Sequence, residues 1–384
     1  MSINFPSTKP RILVAPLDWG LGHATRCIPI INALLTNNCE VWLAGEGQTL
    51  TLLQQEFPQL TCIPLKGYNI HYGKTKWEVY GKLLLQIPKI LEAIHLENEW
   101  LEEAIDTHHF DAVISDNRYG LYTDRIPSVF ITHQLLIKTS LGDTADRFLQ
   151  KFNYHFVDDY STCWVPDVAD AAINLAGELS HPAVMPKVPV RYIGPLSRFQ
   201  YKGEAGAEKH LLLLLSGPEP QRTLLEERLL AQVAQYSGPV LLVRGLPGET
   251  TINLQAPAHV TVVNHLDAAA LELAIREASF VVARCGYSTV MDLMALQKKS
   301  ILIPTPGQTE QEYLATHLIA QGAALCMEQE HFDLMTALAL AQEFNYYFPE
   351  PTGDDALQVA VASFVQQIVI KKKKLESLNH DLGR

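Results

Sequence analysis

The amino-acid sequence predicts an α/β protein of two domains, each built on a parallel sheet with helices on its faces. Strand-like and helix-like runs alternate from the start of the chain, beginning with a strand at 11–16 and a helix at 24–35. The alternation restarts at 211–215, five consecutive leucines that fit a strand buried on both faces. Repeated alternation of this kind indicates parallel strands joined by helices.

The length of the chain and a stretch rich in proline and polar residues predict where the domains meet. A chain of 384 residues suits about two domains. Prolines between 182 and 195 and a polar segment at 200–209 are typical of a boundary. We therefore expect a first domain at 1–195, a second at 210–350, and a C-terminal helix with a basic tail at 351–384.

The last helix carries an apolar stripe that needs a surface to cover it. The stripe consists of Leu357, Val361, Phe364, Val365 and Ile368 at 3.6-residue spacing. Either domain could supply that surface. Four lysines, 371–374, follow the stripe, and cations at the negative end of a helix dipole are favoured over membrane attachment as their explanation.

Composition excludes several classes of protein. A formal net charge of −12 argues against general nucleic-acid binding, which needs a basic face. We find no apolar run long enough to span a bilayer and no signal-peptide core, so we expect a cytoplasmic protein with at most peripheral membrane contact. The six cysteines are scattered and show no zinc-finger spacing.

The segment 284–292 has the pattern of a phosphate site. Gly286 lies between a strand-like run and a helix-like run, where free N–H groups and the helix dipole stabilise anions. Ser288 and Thr289 add hydroxyl donors, and Asp292, one turn further, suits the vicinal hydroxyls of a sugar. The alternative is an ordinary strand, turn and helix with a capped start.

A second informative loop follows the first strand. Gly20 and Gly22 allow close approach of a ligand to the backbone, and a helix begins directly after them. The loop matches a dinucleotide fingerprint only in part, because Thr25 stands at the third glycine position and no acid ends the second strand. A dehydrogenase is therefore disfavoured.

His23, in the same loop, is a candidate general base for a hydroxyl group. Asp116 ends the strand 112–115, and parallel strands bring their carboxyl ends to one edge. We expect Asp116 to orient His23 and to stabilise its protonated form. Alternatively, His23 caps the helix and Asp116 caps a turn ahead of Asn117.

Two more loops in the second half follow strands. Ser216, Gly217 and Arg222 could bind a phosphate, although the arginine could also be a surface residue beside a proline-stiffened turn. Carboxylates and carboxamides at 308–312 would repel phosphate but suit a polyhydroxylated ring. A nucleotide-sugar would satisfy all of these loops together.

Three motifs give the sequence a family resemblance. Gly286 to Asp292 looks like Gly-x-x-Thr-x-x-Glu, Gln311-Glu312-Tyr313 looks like Gln-Gln-Tyr, and Gly20 to His23 is similar to Gly-x-Gly-His. With these motifs the chain resembles the GT-B glycosyltransferases, most closely the glycosyltransferase 28 or MurG-like group. The resemblance implies two Rossmann-like domains facing across a cleft, with the last helix crossing back to the first domain.

The resemblance also implies a role for each matching residue, with His23 as the base and Asp116 as its partner. The implied donor is a UDP-linked nucleotide-sugar, which is a co-substrate and not a cofactor. The resemblance implies no cofactor and no metal. The acceptor is an unidentified lipid or small molecule. The implied donor contacts are Gly286, Ser288, Thr289, Ser216, Gly217 and Arg222 for the diphosphate, Asp292 for the ribose, Gln311 and Glu312 for the sugar, and Asn264, His265 and Leu266 for the base.

Departures from the family pattern narrow the expectation. Asp292 is one methylene shorter than the usual Glu, and Glu312 replaces the second Gln with a group that only accepts hydrogen bonds. Ser216-Gly217-Pro218 and Thr132-His133-Gln134 differ from the peptidoglycan enzymes, so we do not expect the peptidoglycan lipid as acceptor. Two other functions stay open, a hydrolysing nucleotide-sugar 2-epimerase and a non-catalytic nucleotide-sugar-binding protein.

Overall fold

The computed structural model describes residues 9–18, 20–68, 76–199, 203, 208–349 and 355–382. Within these residues it contains two parallel sheets, so the predicted α/β class is confirmed. The first sheet ends with a strand at Val190–Tyr192 and the second begins at His210–Leu214. Most of the predicted boundary segment, 200–209, lies outside the described residues.

The first sheet has seven strands in the order β3-β2-β1-β4-β5-β6-β7. The strands are β1 (Arg11–Pro16), β2 (Glu40–Gly45), β3 (Thr61–Pro64), β4 (Ala112–Asp116), β5 (Ser128–Ile131), β6 (Thr162–Val165) and β7 (Val190–Tyr192). Its helices are α1 (Leu21–Thr36), α2 (Gly47–Glu56), α3 (Lys76–His108) and α4 (Asp143–Val157). The strand order changes direction between β1 and β4, the place where open α/β sheets bind ligands.

The second sheet has six strands in the order β10-β9-β8-β11-β12-β13. The strands are β8 (His210–Leu214), β9 (Val240–Val243), β10 (Val260–Val263), β11 (Ala278–Arg284), β12 (Ser300–Ile303) and β13 (Leu325–Cys326). The helices are α5 (Gln221–Val233), α6 (Ala268–Arg276), α7 (Tyr287–Ala295), α8 (Thr309–Ala320), α9 (Leu334–Glu343) and α10 (Asp355–Leu382). Because β8, β11 and β12 are neighbours, the loops after them share one edge.

The C-terminal helix α10 packs on the first domain, against α1. All five residues of its predicted apolar stripe are buried, and the Phe364 ring lies 5.5 Å from that of Trp164 on β6. The Lys372 ammonium lies 3.0 Å from the Asp111 carboxylate. The chain thus returns to its first domain after completing the second.

A few elements differ from the sequence expectation. The sequence pattern predicts a helix over 77–106 that breaks near Pro88, whereas α3 continues through that proline. The loss of one backbone hydrogen bond at Pro88 is tolerated because Leu101 and Ile105, further along α3, are buried in the core. The apolar spacing predicts a second helix from 289, whereas α7 begins two residues earlier, at Tyr287. Among the described residues, no helix combines the length and apolar character needed to cross a bilayer.

Candidate active site between the two domains

The predicted pair of His23 and Asp116 is brought together at the edge of the first sheet. Pro16 of β1 lies in register with Asp116 of β4, so the loop after β1 returns beside that carboxylate. His23, in the first turn of α1, places Nδ1 3.1 Å from Oδ2 of Asp116. Asp116 is fully buried, whereas the His23 side chain remains 14% exposed. The imidazole is therefore fixed at one nitrogen and still reachable.

Arg26, which sequence reasoning missed, is the third member of this group. Its Nε donates to Oδ2 of Asp116 at 2.8 Å and its Nη2 donates to Oδ1. Nη2 also lies 2.8 Å from Nδ1 of His23. The available signal was helical spacing, since positions 23 and 26 lie on one face of a helix.

These contacts set the charges of the group. Burial alone would raise the pKa of Asp116, but Arg26 and His23 outweigh it and lower that pKa to about 2. Burial, followed by the charge of Arg26, lowers the pKa of His23 despite the opposing carboxylate. Asp116 itself favours protonated His23, in the direction the sequence predicts, but burial and the charge of Arg26 outweigh its effect on the pKa.

A second polar pair joins the domains next to this group. Nε2 of His133, after β5, lies 2.7 Å from Oε1 of Glu310, in the first turn of α8. The His133 ring stacks on Tyr287 of α7, with 4.1 Å between ring centroids. Burial would raise the pKa of Glu310, but the charges of His133 and Arg26 lower it. The sequence places Glu310 in the polar cluster at 308–312 that suits a sugar ring, but it does not predict the contact with His133.

The two predicted ligand loops also touch each other. Ser288 Oγ donates to the Gly22 carbonyl at 2.9 Å. A Cβ atom on Gly22 would lie 3.0 Å from that hydroxyl, so glycine permits the approach. Gly20 has a φ of 89°, in the region that favours glycine. The Ser288 hydroxyl, predicted to contact phosphate, here bridges the domains.

The start of α7 keeps the features of an anion site. Gly286 is its N-cap residue, no side chain caps it, and Thr289 lies in its half-buried first turn. Free N–H groups at such a start attract anions. Arg284 lies buried directly before it and donates to the Gln221 carbonyl at 2.7 Å. Burial lowers the Arg284 pKa to about 10.

The loop after β8 carries three of the residues predicted to bind the diphosphate. Gly217 is exposed with a φ of 100°, next to half-buried Ser216, so the turn is open. Arg222 is buried, with Nε 2.6 Å from Glu219 and Nη1 3.0 Å from Glu226. Two carboxylates thus hold the Arg222 guanidinium, and its phosphate contact stays a prediction.

Asp292 faces the interdomain linker. Ser197 Oγ donates to its Oδ1 at 2.7 Å, and the Arg198 Nε lies 3.8 Å from Oδ2. Burial raises the Asp292 pKa to about 6, and Arg198 opposes this only in part. The carboxylate predicted for ribose is thus engaged by residues 197–198, and its ribose role stays a prediction.

The predicted sugar contacts stabilise the loop after β12. Gln311 accepts from the Thr305 N–H at 2.8 Å, and Glu312 accepts from the Gly307 N–H at 3.1 Å. Both side chains are half-buried at the start of α8. They lie at the same sheet edge as Gly286, as predicted, and these two hydrogen bonds come from backbone N–H groups of the loop.

The predicted base-side segment follows β10. Asn264 holds the segment 249–251 through bonds from its Nδ2 to the carbonyls of Glu249 and Thr251, at 3.0 and 2.9 Å. His265 and Leu266 are half-buried beside it. Burial and the charge of Arg198 lower the pKa of His265. Asn264 therefore shapes the loop, and base reading stays a prediction.

Comparisons with known proteins agree with this architecture. Residues 245–368 match the model of the glycosyltransferase family 28 C-terminal domain. The glycotransferase of kitacinnamycin has 15% identity and a TM-score of 0.60, covering 96% of this chain and 98% of that one. Spinosyn rhamnosyltransferase SpnG, solved with thymidine diphosphate, has 15% identity and a TM-score of 0.59, with 95% and 100% covered. MurG of Acinetobacter baumannii has 16% identity and a TM-score of 0.50, with 96% and 100% covered. No curated protein sequence matches the chain.

The chain has the GT-B fold of these glycosyltransferases. More particularly, residues 245–368 form a glycosyltransferase family 28 C-terminal domain, and the chain shares its fold with MurG. The resemblance indicated by the sequence motifs is confirmed.

Proposed function

We propose that the protein transfers a sugar, with inversion, from a nucleoside-diphosphate sugar to an acceptor hydroxyl. The acceptor oxygen attacks the anomeric carbon as His23 takes its proton, and the bond from that carbon to the diphosphate breaks with its electron pair on the leaving group. One observation carries the proposal: the Ser288 hydroxyl of the phosphate loop contacts the Gly22 carbonyl at 2.9 Å, one residue before His23.

The departing diphosphate would be stabilised by groups of the second domain. The start of α7 at Gly286 offers N–H groups and the Thr289 hydroxyl, and Ser216 and Gly217 lie in the loop after the neighbouring strand β8. Arg284 adds a buried positive charge below them. Fixed dipoles and charges of this kind can stabilise a leaving group without a metal ion, so we propose metal-independent transfer.

The sequence and the related structures support a class of donor and a class of acceptor. We propose a UDP-linked sugar, with a TDP-linked sugar as the alternative because SpnG was solved with thymidine diphosphate. SpnG was also solved with spinosyn aglycone, which supports a small-molecule acceptor beside the lipid expected from the sequence. A cytoplasmic location remains part of the proposal.

The first test is a thermal-shift screen of nucleoside diphosphates and their sugars, followed by transfer and hydrolysis assays with each binding donor. A ligand present at 100 times its Kd adds about 2.7 kcal/mol to the folded state. We expect UDP or TDP to raise Tm, and added EDTA to leave turnover unchanged. Conversion of UDP-N-acetylglucosamine without acceptor would indicate the 2-epimerase, and binding without any turnover the non-catalytic protein.

The second test is His23→Ala with the identified donor. Loss of a general base lowers kcat by about 10²- to 10⁴-fold, while the nucleotide-induced rise in Tm should persist because the donor loops are intact. The control is His95→Ala, on α3, where the side chain is 74% exposed. Unchanged kcat in His23→Ala would exclude the role of base.

A further inference from the structure

Arg26 makes contacts that the reaction scheme above does not use. Its side chain is 2% exposed, although arginine is rarely buried without a partner. We propose that Arg26 is a positioning residue for His23: its guanidinium holds Asp116 and borders Nδ1 of the imidazole, so that His23 stays an unprotonated base. This inference rests on the proposed function, in which His23 is that base.

The contacts at Nδ1 carry the proposal. That nitrogen lies 3.1 Å from a carboxylate oxygen of Asp116 and 2.8 Å from Nη2 of Arg26. A carboxylate only accepts hydrogen bonds and a guanidinium only donates them. Nε2 is the nitrogen left to take the acceptor's proton, so Nδ1 carries its N–H towards Asp116 in both states of the ring, and protonation adds a positive charge beside the Arg26 guanidinium. The neutral ring avoids placing a second cation there.

The charges that would remain without Arg26 show what this residue contributes. Without it, the fully buried Asp116 would have the His23 imidazolium as its partner. An opposite charge within about 4–6 Å favours the charged form of a histidine. The pKa of His23 would then rise, with burial as the main effect left to oppose the carboxylate, and the ring would be a poorer acceptor for the proton of the acceptor hydroxyl. Arg26 opposes this rise in the His23 pKa because it makes two hydrogen bonds to the carboxylate.

The other titratable groups around His23 do not provide the same effect. Burial raises the pKa of the Cys27 thiol well above its usual value, so that group is neutral. His133 lies 3.5 Å from Nη1 of Arg26 and pairs with Glu310. Of the charged side chains in the described ranges, Arg26 is the one with hydrogen-bond contacts to both His23 and Asp116. The titratable groups that act on His23 are Arg26, Asp116, His133 and Glu310, and the Cys27 thiol contacts Asp116.

The test is an NMR titration of the His23 ring in the intact protein, with the resonance assigned by its loss in His23→Ala. We expect Arg26→Gln to raise the pKa of His23 by one unit or more and Arg26→Lys, which keeps the cation, to restore most of the difference. The matched control is Arg118→Gln, because Arg118 is equally buried and pairs with buried Glu97. It should lower thermal stability without changing the His23 titration.

A pH profile of kcat/KM gives the second measurement. On the acid side of the profile, the pH at which kcat/KM falls should be higher in Arg26→Gln. At pH values below the His23 pKa, kcat/KM should be lower by about tenfold for each unit by which that pKa rises, and at high pH it should recover. A purely structural defect would lower activity at every pH. The titration needs no substrate, so it decides on Arg26 even where no donor is turned over and the proposed function fails.

A double variant keeps the proposal testable if Arg26→Gln does not fold. In Arg26→Gln with Asp116→Asn the buried charge is removed together with its partner. Its His23 pKa should exceed that of Asp116→Asn alone, since only the Arg26 charge differs. Equal His23 pKa values with and without the Arg26 charge would overturn the proposal in either background.

Discussion

At the scale of single residues, Asp292 is a carboxyl group whose surroundings favour its neutral form. Its folded pKa of about 6 exceeds the value of about 3.9 expected in the unfolded chain. A group with a raised folded pKa contributes stability that is fully present below its unfolded pKa and lost as pH rises through its folded pKa. The ionised Asp292 therefore costs stability at neutral pH.

Asp292→Asn should stabilise the protein at neutral pH, because the amide keeps an acceptor for the Ser197 hydroxyl and carries no charge. We expect the free energy of unfolding to rise by about 1–3 kcal/mol at pH 7.5, and the gain to shrink towards pH 4.5. Urea denaturation at both pH values measures this. Asp333→Asn is the control, since hydrogen bonding with Thr336 lowers that pKa, and it should give no gain. Equal stability of Asp292→Asn and the native chain at pH 7.5 would contradict the argument.

The same variant separates the two roles of Asp292. Its contacts with Ser197 and Arg198 concern folding, whereas the predicted ribose contact concerns nucleotide affinity. A gain in stability with a weaker nucleotide-induced rise in Tm would support both roles. A gain in stability with unchanged nucleotide binding would show that the contact with the linker is the role of Asp292 and that the ribose contact is not.

How much of the site the sequence predicts depends on how local the contacts are. His23 and Asp116 could be paired because strand order and loop position put both at one sheet edge. The ion pairs of Arg222 with Glu219 and Glu226 are also local, at spacings of three and four residues, and could have been predicted from the sequence. The contact of Asp292 with the linker joins residues 95 positions apart, and no periodicity in one sequence indicates it.

At the scale of elements, α10 is the clearest case of a helix stabilised by tertiary packing. Phe364 is 4% exposed and packs on Trp164 of the first domain. We expect Phe364→Ala to lower the free energy of unfolding by about 3–5 kcal/mol, because it leaves a cavity between α10 and β6. Ile370→Ala is the control on the same helix, since that side chain is 58% exposed. Equal losses in the two variants, measured by urea denaturation, would contradict the packing.

The elements that the sequence did not predict are those without a clear apolar pattern. β7 and β13 have three and two residues, too few to show any alternation. Helix α4 exposes Phe148 and Phe152, at 70% and 41%, so its apolar residues do not all mark the buried face. By contrast, β8 and α10 were predicted because each buries one continuous apolar run or stripe.

At the scale of the whole molecule, the two domains share a hydrophobic core. One continuous cluster contains residues of the first sheet, such as Ile12, of the second, such as Val281, and of α10, such as Phe364. Polar contacts join the same surfaces, among them His133 with Glu310 and Ser288 with Gly22. Loss of one domain would therefore expose core residues of the other.

This shared core predicts that both domains unfold in one transition. All five tryptophans lie within the first 164 residues, so their fluorescence reports on the first domain alone, while circular dichroism reports on both. Leu229→Ala changes a fully buried residue of α5 in the other core cluster of the second domain, and should cost about 2–5 kcal/mol.

The expected result is that tryptophan fluorescence and circular dichroism shift to the same lower urea midpoint in Leu229→Ala, since coincident probes mark a cooperative transition. The control is Leu273→Ala on α6, where the side chain is 55% exposed and little change is expected. If the domains were independent, the dichroism curve would split and the fluorescence midpoint would stay where it is in the native chain. A coincident shift would show that damage to the donor side destabilises the side that carries His23, which is the coupling that a site shared between two domains requires.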